Sequence, residues 1–125
     1  MTTISLIGAP TDVGASVRGA GMGPDALRVA GLVQALQSHR LHVTDTGNLS
    51  GPPTPWLPPR AGVRHLQEVV AWNRSVYAAV EAALGQGHFP LLMGGDHCLA
   101  IGSISAIARH CRQRRKNLRV IWLDA

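Results

Sequence analysis

Aromatic, sulfur-bearing and continuously apolar stretches are all in short supply in this sequence. Of 125 residues, two are cysteine, one is phenylalanine, one is tyrosine and three are tryptophan. Two cysteines, Cys98 and Cys111, are too few for the disulfide framework of a small secreted scaffold. If both lay on one helix they would stand about 20 Å apart, too far to bridge. No apolar run approaches the roughly 18 residues of a membrane span. The opening Met1-Thr-Thr-Ile-Ser-Leu-Ile-Gly-Ala-Pro10 has no charged segment ahead of an apolar core, as a signal peptide requires. These absences lead to the expectation of one unprocessed cytoplasmic domain over residues 1–125, with no membrane partner. Apolar residues make up 46% and charged residues 15%, which argues against disorder.

Acid is missing from one stretch in particular. Arg109, Arg112, Arg114, Arg115, Lys116 and Arg119 place six positive charges in eleven residues without a carboxylate among them. The other six basic residues are outnumbered by the seven acids, so the net charge of +5 belongs to one segment. Cations at the end of a helix oppose the negative end of its dipole and keep the surface wet. No aromatic residues interleave with them for base stacking, and no nucleic-acid partner is expected.

What is present is an alternation of short apolar runs with longer amphipathic ones. Ile4 to Ala9 reads as a strand ending at Pro10, followed by a glycine-rich loop from Thr11 to Gly23. Pro24 suits a first helical turn, with Asp25 beside it, and the helical period runs on to about Ser38. Leu41–Thr46 is a second strand. The five prolines of Gly51–Arg60 exclude helix or inner strand. A strong helical period runs from Val63 to Leu84, with Gly85 and Gly87 as its stop. Phe89–Met93 reads as a third strand, Leu99–Ala108 as a helix and Arg119–Leu123 as a fourth strand. Alternating strands and helices predict an α/β fold, a three-layer α/β/α arrangement around a mostly parallel sheet. In such sheets ligands bind beyond the carboxyl ends of the strands.

Two of those ends carry unusual groups. The third strand runs into Gly94-Gly95-Asp96-His97, where paired glycines allow a tight turn and Asp96 is placed to cap the next helix. The fourth ends in Asp124. An imidazole and a carboxylate at one sheet edge are a donor pair for a divalent metal such as manganese, although two ligands do not complete a site.

Gly94-Gly95-Asp96-His97 after Leu91-Leu92-Met93, with Ile121-Trp122-Leu123-Asp124-Ala125 following, resembles the arginase and agmatinase family of ureohydrolases. The start agrees: Ile7-Gly8-Ala9-Pro10, Gly14, Arg18-Gly19, Gly23-Pro24 and Leu27-Arg28, then Ala30-Gly31-Leu32. That spread is more similar to arginases than to agmatinases, and it covers nearly the whole chain except the proline loop. The resemblance implies that His97 is a manganese ligand and that Asp124 is a carboxylate shared by two manganese ions. It also implies hydrolysis of a guanidino substrate, arginine to ornithine and urea, by metal-activated water, in a protein that is commonly a homo-oligomer. Agmatine and other guanidino or formimino compounds are the alternative substrates. Cys98 stands where the family often has serine, and a small thiol there needs no special role.

By the same resemblance, residues 1–125 correspond to the N-terminal part of a ureohydrolase-like domain, truncated one residue before the motif's next histidine ligand. The further ligands and substrate-holding residues then lie outside it. The expectation is a chain with no hydrolase activity and at best weak manganese binding. Three strands should form a sub-sheet, while Arg119–Leu123 lacks its native neighbours.

Other chemistries fit less well. Gly19-Ala-Gly21-Met-Gly23 misses the dinucleotide-binding spacing, and no phosphate-binding loop or nucleophile elbow occurs. His97, Cys98, His110 and Cys111 lack zinc-finger spacing. An alternative of another class is a non-catalytic interaction module, with Pro55–Arg60 as a proline-rich ligand for an aromatic groove.

Overall fold

The computed structural model describes residues 2–124. Three parallel strands form its centre: β1 (Thr3–Ala9), β2 (His42–Asn48) and β3 (Phe89–Gly94), in the order β2-β1-β3. β1 is buried almost throughout because it has a strand on each side and helices on each face. Its period-two alternation divides the core. Ile7 and Ala9 join Trp72, Val76, Val80, Ala83, Leu99 and Ala106 on one face. Ile4 and Leu6 join Met93 on the other, beneath Leu32, Val33 and Leu36.

The helices supply the outer layers. α1 (Gly23–Val29) and α2 (Leu32–Ser38) lie between β1 and β2 in the chain. α3 (Leu66–Gly85) connects β2 to β3, and α4 (Ala100–Gln113) follows β3. α3 and α4 pack closely at Gly102, whose N–H donates to Asn73 Oδ1 at 2.6 Å. A Cβ at Gly102 would overlap the Asn73 carbonyl. Among the described residues no helix is long and apolar enough to cross a membrane.

The three-layer parallel arrangement agrees with the sequence, and three details correct it. The single helix expected from Pro24 to Ser38 is two, because Gly31 takes φ 85° and turns the chain between them. The helix expected from Val63 starts at Leu66, since His65 is held at φ 45° with its ring bonded elsewhere. Arg119–Leu123 is not a strand: among the described residues no neighbour offers its backbone a ladder, and Val120 through Leu123 are exposed, Leu123 at 91%. That segment therefore lacks strand partners, as the resemblance implied.

A polar clasp joins α1 to β2. Arg28 forks onto Asp45, Nε to Oδ2 at 2.7 Å and Nη2 to Oδ1 at 2.8 Å, and its Nη1 donates to Asn48 Oδ1 at 2.6 Å. Arg28 holds the Asp45 carboxyl below its ordinary 3.8, burial works against this, and the Gly47 N–H adds to it. A carboxyl depressed in the folded state stabilises the protein above its unfolded pKa, and that contribution disappears as pH falls through the folded value. Asp45→Asn should thus cost about 1 kcal/mol at neutral pH and flatten the stability loss as pH falls from neutral to below the ordinary 3.8. Urea unfolding across that range measures both effects, and an unchanged acid limb in the variant would contradict the clasp's role.

Candidate functional site

The carboxyl ends of β1 and β3 lie side by side because the strands are parallel and in register, with Ala9 opposite Gly94. Three glycines let the chain crowd there. A Cβ on Gly95, whose φ is +22°, would overlap the carbonyls of Ala9 and Thr11, and one on Gly23 would strike the Gly94 carbonyl. At Gly14 a Cβ would overlap the Asp96 carboxylate. The glycine-rich loop after β1 can therefore lie directly against the turn after β3.

Asp96 ties these two segments together. Its Oδ1 accepts the Cys98 N–H at 2.8 Å, the cap expected from sequence, and its Oδ2 accepts the Gly14 N–H at 2.7 Å. Asp12 orders the far side of the loop, accepting the N–H groups of Gly19, at 3.3 Å, and Gly21. Neither the Asp12 bonds nor the Asp96–Gly14 bond was anticipated. An aspartate two residues after Pro10 in a glycine-rich loop was the available signal for the first. The second joins residues 82 apart and has no local signature.

His97 projects from the capped turn, its side chain 73% exposed, and Asp124 returns to it from the end of the described chain. His97 Nε2 lies 3.8 Å from Asp124 Oδ1. Trp122 sits edge-on to the imidazole, ring centroids 5.6 Å apart at 89°, and its Nε1–H donates to Asp124 Oδ2 at 3.4 Å. The indole thus touches both groups. Beside His97, an open cavity of about 500 Å³ runs between the glycine-rich loop and the turn, bordered by Gly14, Ser16, Val17 and Asp96.

Cys98, next in sequence, is a free thiol whose pKa burial and the neighbouring Asp96 push up to about 12. It stays protonated at neutral pH and is neither a ready nucleophile nor a thiolate ligand. The donor chemistry left is imidazole nitrogen with carboxylate oxygen, a set that suits manganese. If a divalent cation bound here, His97 and Asp124, 3.8 Å apart, would be the side chains to hold it. Among the described residues no cluster of three or more His, Cys, Asp or Glu side chains is arranged around a metal position.

The profile of the Arginase family matches residues 2–125. The chain belongs to the arginase family. The arginase of Bacillus caldovelox is 37% identical over 127 residues, covering 100% of this chain and 41% of that protein. The arginase of Staphylococcus aureus strain COL is 38% identical over 125 residues, covering 98% of this chain and 40% of that one. The native structure of the Bacillus caldovelox enzyme superposes with a TM-score of 0.80 at 36% identity, over 88% of this chain and 38% of that one. The chain spans about two-fifths of the length of the curated arginases it matches.

The proline-rich ligand reading gains no support from the structure. Trp56 has φ +56°, against the −75° of a polyproline helix, and the Leu57 N–H donates to His65 Nε2. Pro55–Arg60 is a tied surface loop.

Because Asp96 holds the turn that carries His97, Asp96→Ala should lower stability by about 1 kcal/mol through loss of two charge-assisted N–H bonds, that of Cys98 half-buried and that of Gly14 exposed. Asp96→Asn, which keeps one acceptor, should fall between. Denaturant melts of the three proteins decide this, and equal midpoints would refute the tie.

Proposed function

We propose that His97 and Asp124 are the first two ligands of an arginase-type binuclear manganese site. The reaction it serves is hydrolysis of a guanidino substrate, arginine to ornithine and urea. The observation that carries this reading is the 3.8 Å approach of His97 Nε2 to Asp124 Oδ1 at the carboxyl edge of the sheet, in a chain of the arginase family. Substrate choice follows sequence similarity. Curated arginases such as those of Bacillus caldovelox, Staphylococcus aureus and Agrobacterium fabrum are 36–38% identical to this chain, whereas an Entamoeba histolytica arginase at 21% and a Trypanosoma cruzi formiminoglutamase variant at 24% share the fold alone. The setting that accompanies this reading is cytoplasmic and homo-oligomeric.

In this reading the chain's own residues divide the work. His97 offers an imidazole nitrogen and Asp124 a carboxylate able to use both oxygens. Trp122 orients Asp124 through its Nε1–H and walls one side of the imidazole. Asp96 and the glycines fix where the imidazole stands. Manganese, when bound, supplies the Lewis acidity that makes water a nucleophile near neutral pH. The cavity beside His97 gives an elongated guanidino compound room to approach.

Two donors do not hold two ions, so the 125 residues alone should release no urea from arginine. Joining the part of Bacillus caldovelox arginase that follows the matched region after Ala125 should restore manganese-dependent urea release. His97→Ala in that chimera should then cost at least about a hundredfold in kcat/KM. A folded, manganese-loaded chimera that hydrolyses only agmatine or formiminoglutamate would overturn the substrate assignment. One in which His97→Ala has no effect would overturn the ligand assignment.

A further inference from the structure

We propose that the chain carries a second small-molecule site, a pocket for a free carboxylate built on Arg18 and Trp56 and separate from His97 and Asp124. An open cavity of about 520 Å³ lies beyond the carboxyl ends of β1 and β2, with Thr11, Asp12, Arg18, Pro52, Trp56 and Trp72 among its walls. Neither the metal ligands nor Asp96 border it.

Arg18 is the cation of this cavity, and it is positioned without being neutralised. Its Cζ stands 4.9 Å from the centroid of the Trp56 ring. Arg28 and Arg109 each meet a carboxylate, but among the described residues Arg18 has neither an ion pair nor a hydrogen-bond acceptor. Asp12, the acid in the same cavity, spends its oxygens on the Gly19 and Gly21 N–H groups. A guanidinium ordered by a ring face with its N–H fork unused is arranged for bidentate capture of an anion.

The walls are set in advance of any ligand. Trp56 is held at φ +56°, a strained backbone for an aromatic residue, and strain of this kind collects at ligand clamps. The neighbouring Leu57 sustains it, donating its N–H to His65 Nε2 at 3.1 Å, while His65 Nδ1–H donates to the Val13 carbonyl at 2.8 Å. Trp72 fixes the opposite wall by donating Nε1–H to the Pro52 carbonyl at 2.9 Å.

The chemistry selects the ligand class. One planar cation, with no second cation on the lining, matches a singly charged carboxylate better than a phosphate. The proline and tryptophan walls suit a short aliphatic body. Unlike the proposed hydrolysis, this site needs no metal, so the two readings fail separately.

The test is a titration of the whole chain with butyrate at constant ionic strength, reading the Trp56 indole N–H by NMR. Butyramide, of the same shape but uncharged, is the control. A saturable shift with butyrate at millimolar concentration is expected, with none from butyramide. Arg18→Gln should weaken binding about tenfold or more, and Arg18→Lys, which keeps charge but loses the fork, by less. Arg18 is exposed, so both variants should keep the parent's circular dichroism. No saturable shift, an equal shift with butyramide, undiminished binding in Arg18→Gln, or tighter binding of inorganic phosphate would each overturn the assignment.

Discussion

The candidate site depends on one carboxylate that accepts two backbone N–H groups from distant parts of the chain. Asp96 bonds Gly14 and Cys98 with its two oxygens, and so locks the loop after β1 onto the turn after β3. The bonds are charge-assisted, and the segments they join come close only because Gly14, Gly23 and Gly95 have no Cβ to obstruct them. His97 is the next residue after Asp96, and its imidazole leaves the turn where that lock puts it. The site is therefore placed by backbone accommodation as much as by the functional side chains.

The sheet explains why the lock falls where it does. β1 is central, parallel to both neighbours and buried on both faces, so its carboxyl end is the fixed reference for every loop at that edge. The glycine-rich loop separates two cavities there, one beside His97 and one beneath Arg18. The first borders His97, one of the two proposed ligands. The second is built from the loop's outer side and the proline segment.

Much of the fold was legible because it depends on local periodicity. β1 and β3 are short apolar runs bounded by proline or glycine, and α3 carries an apolar stripe that packs on the sheet. The misreadings arose where a single backbone angle or a missing partner overrode the pattern. Gly31 breaks a period that otherwise continues from Pro24 to Ser38. Val120–Leu123 reads as a buried strand by composition, yet strand formation needs a neighbour that composition cannot supply. The motifs singled out His97 and Asp124, and the fold brings these two side chains within 3.8 Å of each other. The Trp122 bridge, the Asp12 loop clasp and the Asp96–Gly14 bond were not, since each depends on how chain segments meet in space.

The central claim is that His97 and Asp124 act together as donors to one cation. The most direct measurement is paramagnetic broadening of amide and indole NMR signals by substoichiometric Mn2+. The account predicts broadening centred on His97 and Asp124 and reaching the Trp122 indole N–H, with loss of that focus in Asp124→Asn. Broadening centred elsewhere, such as on His39 and His42 at the opposite end of the sheet, or a focus unchanged in Asp124→Asn, would contradict it.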